Sequence, residues 1–266
     1  MGATPSDSEI LAALDRSGFL LEQRVAAELE AAGFGVRISA AYMDPDLQKT
    51  REIDIIAARR VTDRGGHKRH AWLIITVECK STPLPHIAFL NDWKNWDREN
   101  LPWEVRLPPE FETLKRFTDE WAIHRVNSTR RAVQVVRMDR EGSGFKARSD
   151  MHETGLPAIK AARDARIRYG GADRTTPIIS FPVAVVGGDI LSVGPGDYDN
   201  PTLTHQDFVV VSYENRSEWT SRDHNRSHYD LVSFTSMRKW IDHINSVSGR
   251  VAEYVPHLPP SLDFDD

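Results

Sequence analysis

Apolar residues along this chain follow two kinds of spacing, and the change from one to the other predicts an α/β protein. In FLLEQRVAAELEAAGF, Leu21, Val25, Leu29 and Ala32 recur on one helical stripe, while Glu22, Gln23, Glu28 and Glu30 lie off it. A helix is expected over 19–32, stopped by Gly33 and Gly35. A shorter helix over 9–16 precedes it, capped by Ser6 or Ser8 and interrupted by Gly18. An extended segment over 36–42 follows, and Pro45 marks a turn. Residues 51–60, REIDIIAARR, read as a strand. A polar tip, DRGGHKRH, separates it from a second β-branched run, AWLIITVECK, over 71–80. The two runs are expected to pair as an antiparallel hairpin.

After residue 80 the pattern is less regular. Residues 81–107 are rich in Trp and Pro, with Trp93, Trp96 and Trp103, and show no clear period. A helix is expected over 109–124. The segment 125–148 is strongly basic, and a further helix over 156–169 carries Lys160, Arg163, Arg166 and Arg168. Buried strands are expected at 182–193, 207–213 and 230–234, and a last helix at 236–246 on which Trp240, Ile241 and Ile244 pack. The tail HLPPSLDFDD is acidic and expected to be mobile. The expected organisation is one α/β domain over 1–266. Its parts are a motif-bearing region at 18–80, a Trp/Pro-rich and basic insertion at about 81–150, further sheet and helices at 151–255, and the tail at 256–266.

Composition narrows the function. With 266 residues and 40% hydrophobic content the chain can bury a sizeable core. A formal net charge of −5 excludes a protein that coats nucleic acid by overall charge, though not one with a local basic groove. The single cysteine, Cys79, rules out an intrachain disulfide and a multi-cysteine zinc site, and makes a reducing, cytoplasmic compartment the expected one. The N-terminus shows no basic-then-apolar leader, and the apolar stretch near 181–193 is too short and interrupted to span a bilayer. No HExxH pair, phosphate loop or Gly-x-Ser-x-Gly elbow is present.

The candidate chemistry lies at the end of the second run. Alternation in a strand puts Glu78 and Lys80 on one face and Cys79 on the other, so Cys79 is expected in the core rather than as a nucleophile. Asp54 sits among isoleucines in the preceding strand, and hairpin pairing brings it towards Glu78. Two carboxylates placed together repel, and a divalent cation relieves that repulsion. Hard oxygen ligands with positions left for water suit Mg²⁺, with Mn²⁺ as a substitute. Lys80 beside such an ion, kept protonated by the acids, suits the orientation of an attacking water and the stabilisation of developing charge in phosphodiester hydrolysis.

The order of a helix acid, then Asp, then Glu-x-Lys resembles the PD-(D/E)xK nuclease superfamily. Within it, GFLLEQRVAAELEAAGF, REIDIIA and VECK look most like the Mrr-type restriction branch. The resemblance covers 18–80. It implies a restriction-endonuclease-like mixed central sheet flanked by helices, with an insertion after the Glu-x-Lys strand. It implies that Asp54, Glu78 and the backbone carbonyl of Cys79 ligate metal, that Lys80 is the motif lysine, and that Glu22 supports a metal-held water or a second metal. Glu52-Ile53 stand where the family often has Pro or Gly, and the glutamine often found downstream in the Mrr branch has no counterpart.

The expected function is metal-dependent endonucleolytic cutting of DNA, in bacterial defence by family analogy. The expected partners are double-stranded DNA, with a homodimer or a defence-system protein as further possibilities. Arg64, Lys68 and Arg69 of the tip, and Lys160, Arg163 and Arg166 at every third position of a helix, are candidate phosphate contacts; a solvated charged surface is the alternative for all six. The competing functions are a nucleic-acid-binding module of the same fold that cuts nothing, and a structural subunit of a defence complex using the Trp-rich segment as its contact surface.

Overall fold

The computed structural model describes residues 4–62, 70–92, 105–106, 130–169, 176–196, 198–214 and 226–255. The expected helix at 109–124, the tip residues Arg64, Lys68 and Arg69, the tryptophans Trp93, Trp96 and Trp103, and the tail at 256–266 lie outside these. Helix α1 (Asp7–Ser17) begins with a reciprocal cap: the Ser6 hydroxyl accepts from the Glu9 amide, and the Glu9 carboxylate accepts from the Ser6 amide. Gly18, at φ 93°, turns the chain left-handedly into α2 (Phe19–Ala31). Leu21, Val25, Ala26 and Leu29 form the buried stripe of α2.

Strands β1 (Gly35–Asp44), β2 (Lys49–Thr62) and β3 (His70–Lys80) form an antiparallel meander, with Ile55 opposite Val77 and Ile38 opposite Ile55. Next come β4 (His86–Asp92), β5 (Val105–Arg106), β6 (Arg130–Glu141), β7 (Gly144–Ser149) and helix α3 (Met151–Tyr169). Then follow β8 (Ile178–Val186), β9 (Ile190–Val193), β10 (Thr204–Gln206), β11 (Phe208–Glu214), β12 (Arg226–Ser233) and, after a 3-10 turn, helix α4 (Met237–Tyr254). The strands make one mixed sheet in the order β1-β2-β3-β8-β12-β11-β6-β4-β9-β10, with β5 on β8 and β7 on β6. The protein is therefore mixed α/β, a large sheet flanked by helices.

Two corrections to the sequence reading follow from this order. The stretch expected as an insertion supplies β4 and β6, which sit inside the sheet path. The strand expected at 182–193 is two strands broken at Gly187–Asp189. The breaks are matched: β3 and β8 are parallel neighbours, and after each break the two chains resume as parallel neighbours β4 and β9. A path that leaves β8, runs through β12, β11, β6 and β4, and returns to β9 must curl, because only Gly187–Asp189 joins its two ends.

The core confirms the curl. Ala88, Leu90, Ala132, Val135, Ala184, Val186, Ile190, Val211, Tyr229 and Leu231 come from six strands yet share one cluster, closed by Ile159 of α3. On the other face, α2 and α4 cover Ile55, Ile75, Val77, Phe181 and Val185 around the fully buried Trp240. A third cluster packs α3 against Ala40, Tyr42, Ile53, Ile56 and Ile74.

Helix α3 starts at Met151, earlier than the expected 156, although Gly155 and Pro157 resemble breakers. Pro157 falls within the second turn, and Gly155 is needed where the helix meets Tyr229: a Cβ there would sit 2.2 Å from the ring. Close approach decides the residue, and local propensity yields to it. Gly155→Ala should destabilise the protein by about 1–3 kcal/mol through overpacking, seen as a lower urea midpoint. Adding Tyr229→Leu should recover part of the loss, and no recovery would show that the contact is not the cause.

Candidate functional site

The β1–β2 pair carries an inversion that locates the site. Ile38 and Ile55 face the α2/α4 core, whereas Ala40 and Ile53, paired two residues further on, face α3. Strict alternation would keep 53 and 55 on one side, so both strands roll over between these pairs. Ser39, opposite Asp54 at this point, takes φ 49°, a left-handed value that costs a non-glycine residue on the order of 1 kcal/mol. Asp54 thus occupies the crossing between two cores.

Continuing the β2–β3 register one step past Ile55–Val77 sets Asp54 against Glu78. Asp54 Oδ2 accepts from the Cys79 amide at 2.6 Å. Lys80 Nζ donates to Glu78 Oε1 at 2.7 Å, with the two side chains 27% and 14% exposed. Thr76, two residues before Glu78, donates to the Ala158 carbonyl of α3, which identifies the face that Glu78 and Lys80 share. Glu22, on the first turn of α2, approaches from the end of the sheet: a Cβ at Gly18 would meet both Glu22 Oε1 and Ser81 Oγ within 4 Å. Ser81 in turn donates to the Arg16 carbonyl, tying α1 to the segment after Lys80. The Gly187 amide bonds the Lys80 carbonyl at 2.9 Å and fixes the strand end from the other side.

Crowding of acids dominates the electrostatics. Burial raises the Glu78 carboxyl to about 7; the Asp54 charge adds to this, Lys80 opposes it, and Glu22 raises it again. Asp54 is raised by burial, opposed by the Cys79 amide and Lys80, and raised further by Glu52. Glu22 is raised by burial and by the charges of Asp54 and Glu52. Burial also raises the Cys79 thiol, and it packs against the core, as strand parity predicts for a residue that is not a nucleophile. The exposed Glu52, next but one to Asp54 on β2, adds its charge to both the Asp54 and Glu22 carboxyls.

A second charged group lies beside the first. Lys160 of α3 is buried, with Nζ 3.0 Å from Asp44 Oδ2 and 2.9 Å from Asp46 Oδ2. Burial pushes Asp44 up, but Lys160 and the Leu47 and Asp46 amides more than offset it, leaving the carboxyl below its ordinary value. Arg51 stands 3.7 Å from the same carboxylate. Of the expected phosphate contacts on this helix, Lys160 is thus turned inward and its charge is satisfied there. Arg163 is half-buried and donates to Ser227 Oγ at 3.2 Å, and Arg166 is half-buried as well. The every-third-residue spacing marks a face packed on the sheet, which hydropathy could not reveal because lysine is rarely buried.

Asp54 and Glu78 form an oxygen donor set of the kind a hard cation takes. Each already uses one oxygen, for the Cys79 amide or for Lys80. Among the described residues, no three His, Cys, Asp or Glu side chains are gathered closely enough to hold a metal ion by themselves. Two carboxylates would leave most coordination positions to water and substrate, the habit of Mg²⁺ rather than of a closed protein cage. The donor types therefore fit such an ion.

The chain was compared with protein-family models, curated proteins and solved structures, and matches none in any of the three. Among the described residues no helix is long and apolar enough to cross a membrane.

Two measurements follow from this electrostatics. Glu78 binds its proton more tightly folded than unfolded, so its contribution to stability is complete below pH 4.5 and is lost as pH rises through about 7. Chelator-treated protein should lose on the order of 2–3 kcal/mol over that window through this group, and Glu78→Gln should clearly flatten the slope, leaving what Asp54 and Glu22 contribute; an unchanged slope in the variant refutes the assignment. Separately, Lys160→Met leaves Asp44 buried without its closest cation and should cost on the order of 3 kcal/mol. Adding Asp44→Asn should restore much of it, as read by denaturant unfolding.

Proposed function

We propose that this protein is a Mg²⁺-dependent nuclease of the PD-(D/E)xK type, with a restriction-endonuclease-like fold, that hydrolyses phosphodiester bonds of DNA. The observation that carries the reading is that Asp54, within β2, bonds the Cys79 amide between Glu78 and Lys80 at the end of β3, with Glu22 in electrostatic range on the preceding helix. Support for the finer fold comes from the order α2, β1, β2, β3, since the resemblance implies that same order of helix acid, Asp strand and Glu-x-Lys strand. Cutting in defence against foreign DNA remains an inference from the family resemblance.

Asp54 and Glu78 would hold the ion, with the Cys79 carbonyl as a third oxygen. When bound, Mg²⁺ supplies electrophilic charge against the phosphate oxygens and favours ionisation of an attacking water. Lys80 Nζ, which donates to Glu78, would act as a donor to developing negative charge. Glu22, with its raised proton affinity, is suited to receive the proton that the attacking water loses. The half-buried setting of Glu78 and Lys80 strengthens each of these interactions over its value in water.

The test uses plasmid, linear duplex, single-stranded DNA and RNA, with Mg²⁺, Mn²⁺ or chelator. Wild type should cut with metal and not with chelator. Asp54→Ala and Lys80→Ala should each lose at least about a hundredfold of the rate while keeping substrate binding. Binding without cutting by the wild type under all these conditions would favour the silent nucleic-acid-binding module instead. Cutting of RNA alone would keep the chemistry and change the substrate.

A further inference from the structure

We propose that Arg51 is the substrate-gripping cation of this site, taking a phosphate of the strand that Asp54, Glu78 and Lys80 act on, and that Asp44 holds its guanidinium in position. The proposal rests on the nuclease reading and assigns it a residue that the motif does not include.

Four observations carry it. Arg51 is on the same strand as Asp54, three residues away, and about half of its side chain is exposed. At roughly 3.3 Å per strand residue the two backbone positions are about 10 Å apart, so a long arginine side chain can reach a phosphate next to the one being cut. Next, Arg51 sits directly opposite the nearly fully buried Tyr42 across the β1–β2 ladder. The Glu78 charge also bears on the Tyr42 hydroxyl, so this cross-strand pair lies within electrostatic range of the acid cluster. Third, Asp44 holds Arg51 from beneath at 3.7 Å, and Asp44 is itself fixed by Lys160. The guanidinium is thus restrained at its base and open to solvent at its edge, which lowers the entropy lost on gripping an anion.

Charge balance gives the fourth. Among the described residues, Glu22, Glu52, Asp54 and Glu78 bear on one another's ionisation, and Lys80 is the cation that opposes them at Asp54 and Glu78. A polyanion approaching such a corner is repelled unless a cation lies on its path. Lys160 is committed to Asp44 and Asp46, and among the exposed cations described on β2, Arg51 stands nearer to Asp54 along the strand than Lys49 or Arg60. Arginine's planar fork suits a phosphate better than a lysine at this position would.

The experiment uses the full chain. Steady-state cutting of a linear duplex with Mg²⁺ is measured for wild type, Arg51→Ala, Arg51→Lys and Arg37→Ala. Arg37 is an exposed arginine five residues back from Tyr42 on β1 and serves as a charge-matched control. Binding of the same duplex in chelator is measured for Asp54→Ala with and without Arg51→Ala, across a range of salt. Arg51→Ala should raise KM roughly tenfold with kcat within a few-fold, and should lower the slope of log K against log salt by about one. Arg51→Lys should restore the slope and only part of the KM, which also answers any loss of folding in the alanine variant. Arg37→Ala should match wild type. If Arg51→Ala and Arg37→Ala are indistinguishable in both KM and slope while wild type cuts, the assignment of Arg51 is overturned. If wild type does not cut, the nuclease reading fails, and the slope comparison still decides whether Arg51 grips phosphate.

Discussion

Two carboxylates held in one poorly solvated corner are the constraint around which this structure is arranged. Asp54 and Glu78 each raise the proton affinity of the other or of their neighbours, and burial raises both. A chain selected for stability alone would replace such a pair with apolar residues. Here the surroundings instead hold it in place: the Cys79 amide on Asp54, the Lys80 ammonium on Glu78, the Gly187 amide on the Lys80 carbonyl, and Ser81 on the end of α1. The local cost is carried by three apolar clusters that meet along the same strands.

The curl of the sheet extends this arrangement. The β3/β8 pair ends at Lys80 and Val186, and its continuation as β4/β9 builds the second half of the sheet. At the root of that half, the fully buried His86 bonds Asp150 at 3.0 Å, and Arg137 approaches the same carboxylate. Helix α3 begins immediately after Asp150 and runs on to present Lys160 to Asp44 beside the acid cluster. One helix therefore packs into the curled half and against β1–β3 together.

Local elements were largely legible in the sequence, and the assembly was not. Both N-terminal helices, the hairpin and the shared face of Glu78 and Lys80 follow from periods of 3.6 and 2 and from the glycine stops. The inward turn of Lys160 did not follow, because Gly155 and Pro157 hid the true start of α3 and because buried lysines have no hydropathy signature. The matched breaks after β3 and β8 were hidden too: a bend between parallel neighbours is a tertiary agreement between segments about a hundred residues apart. Of the candidate site, Asp54, Glu78 and Lys80 could be proposed from pairing and spacing, and Glu22 from the family resemblance. Glu52, Tyr42 and Arg51 could not, since their part depends on cross-strand register and on the roll-over at Ser39.

That roll-over has a consequence for how the protein fails. Ile53 and Ile55 insert into different cores, and the carboxylate between them is anchored by neither alone. Loosening of either layer shifts the same side chain, so the acid corner is sensed by both halves of the molecule. The placement of Asp54 therefore depends on both layers staying packed, because the residues on either side of it belong to different cores.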